Sequence, residues 1–207
     1  MPHTTTTPGW KRLVAVALGT AWLYASQAIA APLDLMQQFP DIQVSELDIS
    51  YDAGTGSFSA NSPGDVMLAY SDGIDPTEYF DWTYSLSASL DSGTGALISG
   101  SLEIRDGSSN LRLAGSLTAF GYTDAGNTDV FEFLFDGIDG ALAGDFGALG
   151  GIIINTSSSS FIGDFTTDFT ATSLESDTFA AVVPIPAAVW LFGSGLLGLA
   201  AAARRRH

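Results

Sequence analysis

The chain has 207 residues, no cysteine, two histidines and a net charge of −16, with 46% of its residues apolar. The absence of cysteine excludes disulfides, thiol chemistry and Cys-type zinc sites. The strongly acidic balance excludes a nucleic-acid partner, which needs a basic surface to replace phosphate counterions.

In chain order, the first predicted element is a secretory signal peptide over residues 1–30. Lys11 and Arg12 precede an uncharged stretch, residues 13–25, and then Ala28 and Ala30 stand at the −3 and −1 positions of an A-x-A cleavage site. Cleavage there makes Ala31 the first mature residue. An N-terminal membrane anchor is the alternative, but thirteen apolar residues fall short of the ~20 that cross a bilayer.

Residues 31–182 form the predicted extracytoplasmic domain, a single unit by size. It holds all 23 acidic residues of the chain but only Arg105 and Arg112 of the seven basic ones, a net charge of −21. Both histidines, His3 and His207, lie outside it, and it has no lysine. A Ser-His-Asp triad, a His-ligated metal site and a Lys Schiff base therefore cannot be built within it. The expectation is a non-enzymatic domain without a cofactor.

The stretch at 33–41, LDLMQQFPD, predicts a helical turn or two ending before Pro40. Strands follow. Leu47, Ile49 and Tyr51 alternate with Asp48 and Ser50, and after a turn at 52–56 Phe58 and Ala60 continue the pattern. Trp82, Tyr84, Leu86, Ala88 and Leu90 alternate with polar residues in the same way. A turn at 91–95 then leads to Ala96, Ile98, Gly100, Leu102 and Ile104, so 82–90 and 96–104 predict a hairpin. Further strands are expected at 111–117, 130–135, 151–154 and 161–169. Residues 47–61 and 86–100 align without a gap at a spacing of 39 and share Asp-x-Gly-Thr-Gly, which suggests a duplicated hairpin. The fold class expected is all-β, a mostly antiparallel sandwich or barrel, with a β-helix as the alternative.

Three acidic patterns in this domain invite a chemical reading. Asp91-Ser92-Gly93 has the form of an aspartic protease loop, but its duplicate reads Asp52-Ala53-Gly54 and lacks the hydroxyl, so both are read as hairpin turns. Asp136, Asp139 and Asp145 lie in a Gly-rich stretch that could offer oxygens to calcium, without EF-hand spacing; they are read as solvated turn acids. Glu78 and Asp81 beside Tyr79, Phe80 and Trp82 would suit a glycan-binding or glycan-cleaving groove, whereas Trp82 also begins a clean apolar strand face and is read as its core anchor. No acidic pair stands out as catalytic.

The last element covers residues 183–207. Ala187 to Ala203 is uncharged for seventeen residues, about 25 Å of helix. Trp190 stands near one end, and Arg204, Arg205 and Arg206 follow the other, where a basic cluster stays on the cytoplasmic side of a span. Pro184 and Pro186 prevent a helix from continuing upstream. A buried C-terminal helix is the alternative reading, and the three closing arginines argue against it.

The order Val183-Pro184-Ile185-Pro186-Ala187, an apolar span containing FGSGLLGL, and then Arg204-Arg205-Arg206 resembles the PEP-CTERM sorting signal in its VPLPA-like variant. The resemblance covers about the last 25 residues, with Ile185 where the common motif has Glu. It implies a two-membrane bacterium and recognition of the Pro-x-Pro segment by an exosortase-like membrane protease. It further implies transient anchoring in the inner membrane and delivery to the cell surface or an exopolysaccharide-rich biofilm matrix.

Overall fold

The computed structural model describes residues 30–63 and 67–181. Eleven strands and one short helix form among them: β1 Asp41–Val44, β2 Asp48–Asp52, β3 Ser57–Asn61, β4 Leu68–Ser71, β5 Thr77–Tyr79, β6 Thr83–Leu90, β7 Leu97–Arg105, β8 Leu111–Thr123, β9 Val130–Asp139, α1 Ala143–Phe146, β10 Gly150–Ser159 and β11 Phe169–Ala180. They lie in one antiparallel sheet ordered β10-β9-β8-β7-β6-β3-β2-β11-β1-β4-β5, and β10 also pairs with β11. That last pairing closes eight strands, β2, β3 and β6–β11, into a barrel. The domain is therefore all-β and antiparallel, and the β-helix alternative falls.

Closure leaves three strands over, because β11 is long enough to pair twice along one edge. Its first part, Phe169–Thr172, pairs with β2, and Ser176–Phe179 pairs with β1. From β1 the sheet branches outward to β4 and β5.

The period-2 pattern read from the sequence sets the wall of the barrel. Tyr84, Leu86, Ala88 and Leu90 of β6 point inward, while Thr83, Ser85 and Ser87 face out. The expected hairpin is present, with Tyr84 opposite Ile104 and Leu86 opposite Leu102. The two Asp-x-Gly-Thr-Gly hairpins, β2–β3 and β6–β7, lie side by side, joined where Phe58 of β3 faces Ala88 of β6. The closing glycine of the first motif, Gly56, has φ +68°, and a Cβ there would lie 2.2 Å from the Leu90 carbonyl oxygen. No other residue type satisfies both conditions.

Inside, Phe58, Phe120, Phe131 and Phe133 pack at ring-centroid separations of 4.8–6.4 Å. The connection from β10 to β11 closes one end of the barrel by turning Phe161 and Phe165 inward beside Phe169. Phe165 meets Tyr51 edge-on at 5.4 Å, and the Tyr51 hydroxyl donates to the Phe165 carbonyl at 3.0 Å. At the opposite end Leu68, Trp82, Leu142 and Phe146 join the same core. The Tyr70 hydroxyl of β4 donates to Asp145 of α1 at 3.0 Å, tying the branch to the helix.

Two expectations are corrected. Residues 33–41 are not helical up to Pro40: residues 30–38 form no regular element, and β1 begins at Asp41. The amides of Leu33, Asp34 and Leu35 donate to the Glu132 carboxylate instead of to helical carbonyls, and Asp34 has φ +53°. The stretch 161–169 is a loop until its last residue. Its phenylalanines recur every four positions, a spacing that one strand face would also give, but here each turns into the barrel mouth from the loop.

On the outer wall, Thr170, Ser50, Ser59, Ser87, Ser101 and Ser116 stand opposite one another across β11, β2, β3, β6, β7 and β8. The Ser50 and Ser59 hydroxyls are 2.9 Å apart. Small hydroxyl side chains in register leave shallow polar grooves along this face.

Candidate functional site

The chemically most unusual place lies where the N-terminal segment meets the barrel wall. Residues 30–40 form a strap over the outer face of β8 and β9 toward β11. Close approach to β8 is possible because Gly121 has no side chain: a Cβ there would fall 2.3 Å from the Ala31 carbonyl oxygen and 2.8 Å from the Leu33 nitrogen. Opposite Gly121 in the register is Glu132 of β9, pointing outward and buried under the strap. Its Oε2 accepts from the Leu33 and Asp34 amides at 2.7 and 3.3 Å, and its Oε1 from the Leu35 amide at 2.8 Å. Three backbone donors around one carboxylate make a nest, an arrangement that favours negative charge.

Farther along the strap, the Gln37 side-chain amide donates to Asp41 Oδ2 at 2.5 Å and to Asp177 Oδ1 at 3.0 Å. Asp41 opens β1, and Asp177 lies on the neighbouring β11 opposite Gln43. Both carboxyls are only 5% exposed, and Asp41 Oδ1 has no hydrogen-bond partner. Burial, opposed by the Gln37 hydrogen bond and reinforced by Glu175, pushes the Asp41 carboxyl up to about 6. Burial, followed by the charges of Asp41 and Glu175, pushes Asp177 up to about 7, against a lowering contribution from Gln43. Glu175 is itself paired with the Gln43 amide.

The turn acids behave differently. Asp91 is exposed and accepts from the Thr94 hydroxyl at 2.7 Å and from the Thr94 and Gly93 amides, led by the hydroxyl, which together lower its pKa. Asp52 accepts from the Thr55 amide at 2.9 Å in the matching turn. Both repeats thus carry Asx turns, as the hairpin reading expects. Asp136 and Asp139 lie on β9 and Asp145 on α1, and among the described residues no group of three or more His, Cys, Asp or Glu is arranged to hold a metal ion.

In the aromatic-acidic stretch, Trp82 is a core residue at 5% exposure, stacked on Tyr79 at 4.1 Å with the Arg112 guanidinium 4.8 Å from its ring centre. Its faces are occupied, so it offers no platform to a sugar. Phe80, 61% exposed, is the free aromatic of this cluster.

Of the sorting and cleavage residues, Ala28, Val183, Pro184, Ile185, Pro186, Ala187, Arg204, Arg205 and Arg206 lie outside the described residues, as does the span 187–203. Among the described residues no helix is long and apolar enough to cross a membrane. Ala30 is described, and its amide donates to the Thr94 carbonyl at 3.3 Å. At the other end, the Ala181 amide donates to the Leu149 carbonyl at 3.0 Å, so the barrel is hydrogen-bonded up to two positions before Val183.

Sequence reasoning missed Gln37, Asp41, Glu132 and Asp177. Glu132 had a visible signal, as the one charge in the apolar run VFEFLF. Asp41 and Asp177 had none, since their proximity depends on β1 and β11 meeting across 136 positions of sequence. No family model, curated protein or solved structure matches the chain.

Proposed function

We propose that the chain is an exported, non-enzymatic surface or matrix protein, a β-barrel delivered by its N-terminal signal and sorted through its C-terminal tail. The tail carries this reading: Pro-x-Pro, an uncharged seventeen-residue span and three arginines in that order. An exosortase-like membrane protease is the partner that would read it. The position of Ala181 supports the proposal. Five residues, 182–186, separate it from the start of the span, and fully extended they reach at most about 18 Å. A protease working at the membrane surface would find the Pro-x-Pro segment a few residues past Ala181 in the chain and within that reach of the bilayer. The hydroxyl-lined outer wall and the high negative charge suit a hydrated polysaccharide matrix better than an apolar or anionic partner.

Intact mass of the protein recovered from its native host tests this. The expected product begins at Ala31 and lacks residues 187–207. Disabling the sorting protease should leave the tail attached. Mature protein that still carries residues 187–207 in a host with an active sorting enzyme would make the tail a plain anchor and overturn the proposal.

A further inference from the structure

We propose that Asp41 and Asp177 stand protonated in the folded barrel, and that this protonation, with the Gln37 amide, latches the N-terminal strap to the barrel. The geometry carries the inference. One Nε2 group donates to an oxygen of each acid, so the two acceptor oxygens stand within about 5.5 Å of each other. Both acids are nearly sealed from water, and Asp41 Oδ1 is buried without a donor. Two ionised carboxylates cannot rest there unless a positive group faces them.

No such group does. The residues around the pair are Gln37 of the strap, Gln43 of β1, Glu175 and Phe179 of β11, Ser71 of β4 opposite Asp41 and Ile153 of β10 opposite Asp177. The one charge among them, Glu175, is negative. Arg105 is engaged with Glu103 and the Ser109 carbonyl, and Arg112 with Trp82 and Asp106. Among the described residues a proton is the compensating charge that remains, and burial first, then neighbouring carboxylates, holds both carboxyls well above their ordinary range. Because the folded-state values are raised, the stabilisation is complete below about pH 4 and is lost as pH rises through 6 to 7. Deprotonation sets two charges against each other at the point where Gln37 holds the strap and β1 joins β11.

The proposal is independent of export and sorting, and the domain offers a clean window for testing it. Residues 31–182 contain no histidine, so between pH 5.5 and 8 few other groups change charge. The test is thermal unfolding of the full chain in detergent at both pH values and fixed salt, for the wild type, Asp177→Asn and Asp41→Asn. His3 and His207 are common to all three. The wild type should lose at least about 5 °C between pH 5.5 and 8. Asp177→Asn should lose less than about 2 °C and exceed the wild type at pH 8. Amide exchange over 33–44, corrected for its intrinsic pH dependence, should quicken about tenfold in the wild type and not in Asp177→Asn. An unchanged wild-type midpoint overturns the proposal without any variant, as does an Asp177→Asn chain that keeps the wild-type loss. Recovery of the pH 8 midpoint by millimolar calcium, but not by sodium at equal ionic strength, would overturn the proposal by putting a bound cation in place of protonation.

Discussion

Both oxygens of Glu132 face the strap, and the side chain is buried by the segment it binds. Removing the carboxylate strands three backbone N–H groups beneath residues 33–35, and hydrogen bonds to a charged acceptor are stronger than neutral ones. Glu132→Ala should cost about 3 kcal/mol in urea unfolding. Glu132→Gln should cost about half of that, because one oxygen still accepts while the new NH2 group opposes a donor. Gly121→Ala attacks the same contact by sterics, since its Cβ would fall 2.3 Å from the Ala31 carbonyl oxygen. The barrel should tolerate it while strap amides lose protection from exchange. Equal protection in Gly121→Ala and the wild type would mean that the strap is not seated on β8.

At the level of the element, the connection between β10 and β11 works as a plug. Phe165 lies within 5.1–5.7 Å of Tyr51, Phe120, Tyr122 and Phe161, in a loop with no ladder of its own. Phe165→Ala should cost about 3 kcal/mol, the usual range for emptying an aromatic core position. Phe80→Ala, at an exposed position, should stay within about 0.5 kcal/mol. Equal denaturant midpoints for the two variants would refute the plug. The same elements show what the sequence can convey. β6 and the second half of β7 were legible because one face is core and the other is water, so alternation and burial coincide there; Ile98, expected on the apolar face, is instead 66% exposed at the bulge opposite Leu90. The 161–169 stretch misled because inward phenylalanines produce apolar spacing without strand pairing. β11 was invisible for two reasons. Leu174 sits at a bulge that shifts which alternate residues face inward, and Ser173 and Thr178 are buried polar residues satisfied by the Leu47 amide and the Tyr84 hydroxyl. Neither partner is near in sequence, so the closing strand reads as a polar segment. The Asp41–Asp177 pair inherits that opacity.

Across the whole molecule, charge is the dominant unsatisfied quantity. The domain carries 23 acids and two arginines, and both arginines already have acidic or aromatic neighbours. Compacting a chain with a net charge of −21 raises its self-repulsion, and the barrel cannot relieve this by pairing charges within itself. Mobile ions must do so. The screening length falls from about 30 Å at 0.01 M to about 3 Å at 1 M salt, that is, from the scale of the whole barrel to that of adjacent side chains. Raising sodium chloride across this range at pH 8 should therefore raise the unfolding midpoint by about 5 °C or more. Calcium at equal ionic strength should add less than about 2 °C beyond sodium. The reason is geometric: Asp136 and Asp139 extend along β9, Asp145 is drawn to the Tyr70 hydroxyl, and no set of oxygens converges on one point among them. A calcium-specific rise of 5 °C or more would show that the acids of the native barrel do converge on a cation. If that rise survives in Asp177→Asn, the site belongs to residues 136–145; if it disappears, the cation sits under the strap.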